Sequence, residues 1–117
     1  MKELKVKGKD MEAKKIADNL GLEKEEFTEL FGLYKETTSS DLKELKVAIS
    51  SGDAEKAHEK AHSIKGASGN LGLDKLYETA KAIDDRARVN SFDGLENMFQ
   101  EFWENYEKLV KELEKVS

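Results

Sequence analysis

The chemistry open to this 117-residue chain rests on two histidines, His58 and His62, spaced one helical turn apart. Cysteine is absent, which excludes thiolate nucleophiles, thiolate metal sites and disulfides. The histidines fall in the segment AHEKAHSIKGASGNLG, residues 57–72. Wound at 3.6 residues per turn, this segment gathers Ala54, Ala57, Ala61, Ile64, Ser68 and Leu71 on one face, which reads as the core side. His62 then points roughly 130° away from the middle of that face, toward solvent. Its wheel neighbours are His58, Lys65, Gly66, Gly69, Glu55 and Glu59. A glycine inside a helix costs roughly 1 kcal/mol relative to alanine, and two are tolerated beside one histidine. Gly66 and Gly69 are therefore read as a bare patch that lets another surface approach His62. Lys65, at i+3, is placed to offset negative charge arriving at the imidazole. An exposed neutral imidazole with a cation and cleared space beside it suits an in-line phosphoryl acceptor.

The same residues satisfy a second pattern. His58-Glu59-Lys60-Ala61-His62 reads as H-E-x-x-H, in which two histidines hold zinc and the glutamate activates water. Against a zinc hydrolase stand the lysine inside the motif, the lack of any third histidine and the absence of strand-like runs to build a substrate cleft. His58 is better read as a helix-face neighbour of His62. A non-catalytic helical interaction module is the other alternative; it explains the helices but leaves the grouping of His62, Lys65 and Gly66 to chance. Phosphate-cradling glycine loops, nucleotide fingerprints and serine-nucleophile turns are not found.

The elements that carry these residues follow from periodicity. Apolar residues recur at three- and four-residue spacing almost throughout, and proline is absent, so long uninterrupted helices are expected. A short helix is expected over residues 10–21, capped by Asp10 and stopped by Gly21. A second should run from about residue 23 to 49, bent or split at Thr37-Thr38-Ser39-Ser40, where short hydroxyls compete for backbone hydrogen bonds. Ser51-Gly52-Asp53 ends it and caps a third helix over residues 54–70. Gly72 separates a fourth helix bearing Leu73, Leu76, Ala80, Ile83 and Ala87. After a loop at residues 90–94, the last helix repeats Leu95, Met98, Phe99, Phe102, Trp103, Tyr106, Leu109, Val110 and Leu113. Short loops between long helices imply an all-α, antiparallel up-down-up-down four-helix bundle with an extra short N-terminal helix. Aromatic residues stripe the second and last helices as core, while the alanine-rich third helix sits close to its neighbours and displays its outer face.

Charged residues make up 38% of the chain with a net charge of -5, both signs interspersed; nucleic-acid binding, which usually shows a basic surplus, is not expected. No run approaches the roughly 18 apolar residues of a membrane span, and the charged N-terminus is unlike a signal peptide, so a cytoplasmic protein is expected. Residues 1–9 read as a flexible tail ahead of one domain over residues 10–117.

His62-Ser63-Ile64-Lys65-Gly66-Ala67-Ser68-Gly69-Asn70-Leu71-Gly72 resembles the signature of histidine-containing phosphotransfer (HPt) domains. These show a histidine, lysine three on, glycine four on, small residues after that and an apolar-glycine pair closing the helix. The resemblance covers most of the chain from about residue 23 and implies a four-helix bundle with His62 as the phosphorylated residue. It implies a phosphorelay intermediate that takes a phosphoryl group from a receiver-domain aspartate, or from a kinase, and passes it to another receiver, without autonomous catalysis. The implied partners are receiver domains of response regulators or hybrid histidine kinases, met by a monomer. No cofactor of its own is implied, since Mg²⁺ belongs to the receiver. Related domains also place a glutamine or glutamate twenty-two residues after the histidine, against its other ring nitrogen. That position is Asp84 here, a shorter side chain whose reach is open, with Lys81 and Asp85 as neighbouring candidates.

Overall fold

A computed structural model of the chain describes residues 16–116, the last two by backbone alone. The tail at residues 1–9 and the helix start at Asp10 lie outside the described residues. A helical stretch, α1, is described over residues 16–20 and ends at Gly21, whose φ of 70° is the left-handed turn that stops a helix. Four long helices follow: α2 (Lys24–Ser51), α3 (Ala54–Asn70), α4 (Asp74–Arg88) and α5 (Leu95–Val116).

The boundaries have local causes. Glu23 and Glu26 form a reciprocal capping box at the start of α2. Gly52, at φ 72°, closes α2, and its N–H donates to the Ala48 and Ile49 carbonyls. Asp53 then accepts the Lys56 N–H at 3.0 Å and caps α3. With only residues 52–53 between them, α2 and α3 must fold back on one another. Each long helix packs on the next in sequence and α5 closes onto α2, which makes the up-down-up-down ring.

The expected split of α2 is not found: the helix runs unbroken through residues 37–40. Two of the hydroxyls there have partners that leave the backbone ladder intact. Thr37 Oγ1 donates back to the Leu33 carbonyl at 2.8 Å, and Ser39 Oγ meets the Tyr106 hydroxyl of α5 at 3.1 Å. Across the core, Phe27, Phe31, Tyr34, Leu42 and Leu45 of α2 face Phe102 and Tyr106 of α5 and the small residues of α3. Trp103 departs from its expected place in the apolar stripe, with 36% of its surface exposed. Ala57, Ala61, Ile64 and Ser68 are buried as the helical wheel requires. Because all of these but Ile64 are small, the backbone of α3 can lie close to α4, and that seam carries the polar cluster described next.

Candidate functional site

Asp84 is fully buried on α4, with its carboxylate turned toward α3. Four donors converge on it. On Oδ2 are His62 Nδ1 at 3.3 Å and Lys65 Nζ at 3.3 Å. On Oδ1 are His58 Nδ1, in direct hydrogen-bond contact, and Arg88 Nε at 3.4 Å. Three of these donors share one face of α3 on successive turns, and Arg88 lies one turn after Asp84 on α4. Burial by itself raises a carboxyl pKa. Here the hydrogen bonds from His58, His62 and Lys65, with the charge of His58, outweigh burial and hold Asp84 below the ordinary carboxylate range.

An ionised carboxylate only accepts, so each imidazole meets it as an Nδ1–H donor. That assignment leaves the lone pair of His62 on Nε2, across the ring and away from the buried acid. The His62 side chain is 57% exposed, whereas Asp84 behind it is inaccessible. A Cβ placed on Gly66 would meet nothing within 4 Å, so the surface one turn along from His62 is open. The ring is thus held from behind and bare in front.

The residues singled out from sequence fare differently. His62, Lys65 and Asp84 come together. The short aspartate reaches because α3 is thin and α4 lies near it; Lys81 and Asp85 pair with each other on the surface at 2.9 Å instead. Lys65 is already engaged with Asp84, its side chain only 19% exposed, and does not project free beside the imidazole. Gly69 is exposed like Gly66, but a Cβ there would lie 3.1 Å from Tyr77 Cδ1 of α4, so this glycine also makes room for a helix neighbour. His58 and Arg88 are the members that sequence reasoning missed. Their signal was present in two i,i+4 pairs, His58–His62 and Asp84–Arg88, whose convergence depends on how the two helices are rotated against each other.

Lys60, the residue at odds with a zinc helix, turns toward α2, with Nζ 3.4 Å from Glu44 and 3.9 Å from Asp41. Among the described residues, no group of three or more His, Cys, Asp or Glu side chains is arranged to hold a metal ion. No helix among them is long and apolar enough to cross a membrane.

Comparison with known proteins shows the family and the fold. The model of the Hpt domain family matches residues 29–116, and the chain belongs to that family. It is accordingly a phosphotransfer intermediate of two-component phosphorelays, a class of carriers that interact with receiver domains. The fold is similar to that of histidine-containing phosphotransfer protein B (HptB) from Pseudomonas aeruginosa PAO1. The TM-score is 0.79 at 21% sequence identity, covering 86% of this chain and 88% of that one. No curated protein matches the sequence.

Proposed function

We propose that His62 is the residue that carries the phosphoryl group, and that Nε2 is the attacking atom. The observation behind this reading is the division of the imidazole: Nδ1–H on a buried carboxylate, Nε2 on the exposed side beside the open Gly66 position. In the forward step the Nε2 lone pair attacks the phosphorus of a receiver's aspartyl phosphate. The N–P bond forms as the acyl O–P bond breaks, and the electron pair stays on the receiver's carboxylate. No proton has to leave His62 during the attack. The phosphorylated ring gains positive charge, which the Asp84 carboxylate offsets. Lys65, 3.3 Å from Asp84, is within a side-chain swing of the incoming phosphoryl oxygens. Transfer to a second receiver is the same step reversed.

Because the acceptor is a single exposed ring, donor and recipient must use the same face in turn, and each encounter is brief. The partners are receiver domains of response regulators or hybrid histidine kinases, and they supply the acidic pocket and Mg²⁺. The protein works as a monomeric cytoplasmic carrier with no cofactor of its own and no autonomous catalytic cycle.

The test is transfer of labelled phosphate from a phosphorylated receiver domain to this protein. Wild type should acquire acid-labile, alkali-stable phosphate, and His62→Gln none. Undiminished labelling of His62→Gln would sink the assignment.

A further inference from the structure

An aspartate facing a histidine from a neighbouring helix has a weakness as an orienting group. Its carboxylate turns about χ2 and can offer either oxygen, in plane or out of plane. At Asp84 that freedom is removed by a second imidazole. His58 Nδ1 donates to Oδ1, so the oxygen left for His62 is Oδ2, at 3.3 Å. Lys65 and Arg88 also reach the carboxylate, one on each oxygen. Both are long chains with many rotamers, and the Arg88 side chain is 51% exposed. His58 has two side-chain torsions, begins on the same helix face as His62, and is only 34% exposed. Its ring also flanks that of His62, with centroids 5.9 Å apart and planes tilted by 50°. The cations supply charge, while His58 supplies direction.

We propose that His58 is a positioning residue for phosphoryl transfer, acting on His62 through the carboxylate of Asp84. It pins Oδ1, so that Oδ2 holds the Nδ1–H tautomer of His62 and keeps Nε2 unprotonated and aimed outward. This inference rests on His62 being the acceptor. It adds that the acceptor's tautomer is set by a relay of three side chains, His58 to Asp84 to His62. Other charged groups near His58 are Glu55 and Glu59 of its own helix and Asp84 and Arg88 of α4. Of these, Asp84 is the one in direct hydrogen-bond contact with its Nδ1.

The experiment uses the full chain and a small phosphoryl donor, phosphoramidate, so that receiver docking does not enter. The rate of phosphohistidine formation is followed by ³¹P NMR for wild type, His58→Leu and His58→Asn. Long-range ¹H–¹⁵N correlation spectra read the His62 tautomer in each protein. Leucine fills the volume without a donor; asparagine restores an N–H close to the Nδ1 position. His58→Leu should lower the rate about tenfold, the low end of the loss when an orienting partner is removed from a metal-bound histidine. It should also shift His62 toward the Nε2–H tautomer, and His58→Asn should recover most of both losses. An unchanged rate, or a slowed rate with an unchanged tautomer, would overturn the proposal. So would His58→Asn behaving like His58→Leu. If His58→Leu does not fold, as read by circular dichroism, the wild-type tautomers and His58→Asn decide; a wild-type His62 that is mainly Nε2–H overturns it. Labelling of wild type that persists in His62→Gln would instead indict the acceptor assignment, so the two failures are distinguishable.

Discussion

The two faces of α3 bury polar groups in opposite ways. On the outward face, Asp84 gathers two imidazoles, an ammonium and a guanidinium, and two of these partners, His62 and Arg88, are more than half exposed. On the inward face, the Ser68 hydroxyl meets the Tyr34 hydroxyl of α2 at 2.9 Å, and both residues are buried. The first cluster is charged and open on one side; the second is neutral and sealed. A sealed neutral pair can tie helices together and set their register, but it offers nothing to a partner. An open charged cluster also holds helices together through its buried carboxylate, although its flanking cations are partly solvated. What it provides is a ring nitrogen with a fixed tautomer at the surface. One helix therefore separates structure from reactivity by roughly 120° of rotation, the angle between Ser68 and His62 at 3.6 residues per turn.

The strongest way to break this comparison is Asp84→Asn. If the outward cluster exists for reactivity, phosphorylation of His62 should fall about 10–100-fold, measured with phosphoramidate or a phosphorylated receiver. Stability should fall by about 2 kcal/mol in urea titration, since hydrogen bonds to a charged group are lost. The pH dependence has a definite sign. The folded carboxyl lies below its ordinary value of 3.8, so the unfolded chain takes up the proton first as acid is added. Its stabilising contribution is present above 3.8 and is lost as pH falls toward the folded value. Asp84→Asn should flatten that acid limb. A variant that kept its transfer rate and lost only stability would make the outward face structural, like the inward one.

Much of this was legible in the sequence, and the gaps share one cause. The limits of α3 follow from Asp53 as N-cap and from Gly72, and the outward direction of His62 follows from a helical wheel. Those are properties of a single helix. The reach of Asp84 to His62 was left open because it depends on the distance between α3 and α4. His58 and Arg88 were missed, and the Tyr77 ring beside Gly69 was not foreseen, for the same reason: each meets a side chain on the other helix. The break expected at residues 37–40 failed because Ser39 found Tyr106 on α5 and Thr37 found a carbonyl one turn back.

A smaller effect is expected on the inward face. Burial pushes the Tyr34 hydroxyl up to about 12, partly offset by its hydrogen bond with Ser68. Tyr34 should therefore stabilise the fold fully below 10.0, and that share should be lost as pH rises toward about 12. Tyr34→Phe leaves Ser68 Oγ buried without this partner and should cost about 1–2 kcal/mol at neutral pH. It should also remove part of the alkaline destabilisation; the part due to Tyr106, likewise raised by burial, stays. Labelling of His62 should be unchanged. A slowed phosphorylation in Tyr34→Phe would show that the two faces are coupled through α3.

The finest distinction lies between the two glycines. Both interrupt a helix that would gain up to about 1 kcal/mol from alanine at either position. Gly66 opens on solvent, so Gly66→Ala should realise that gain in thermal unfolding. Gly69 faces Tyr77 at 3.1 Å from an added Cβ, so Gly69→Ala must displace the ring and should gain less, or lose. Function should rank them the other way. The methyl of Gly66→Ala stands one turn from His62, where a receiver has to approach, and should slow transfer from a receiver while leaving phosphoramidate labelling intact. Gly69→Ala should leave both rates near wild type. Here the more stable variant is the poorer carrier, which follows only if the bare surface at Gly66 serves a partner rather than the fold.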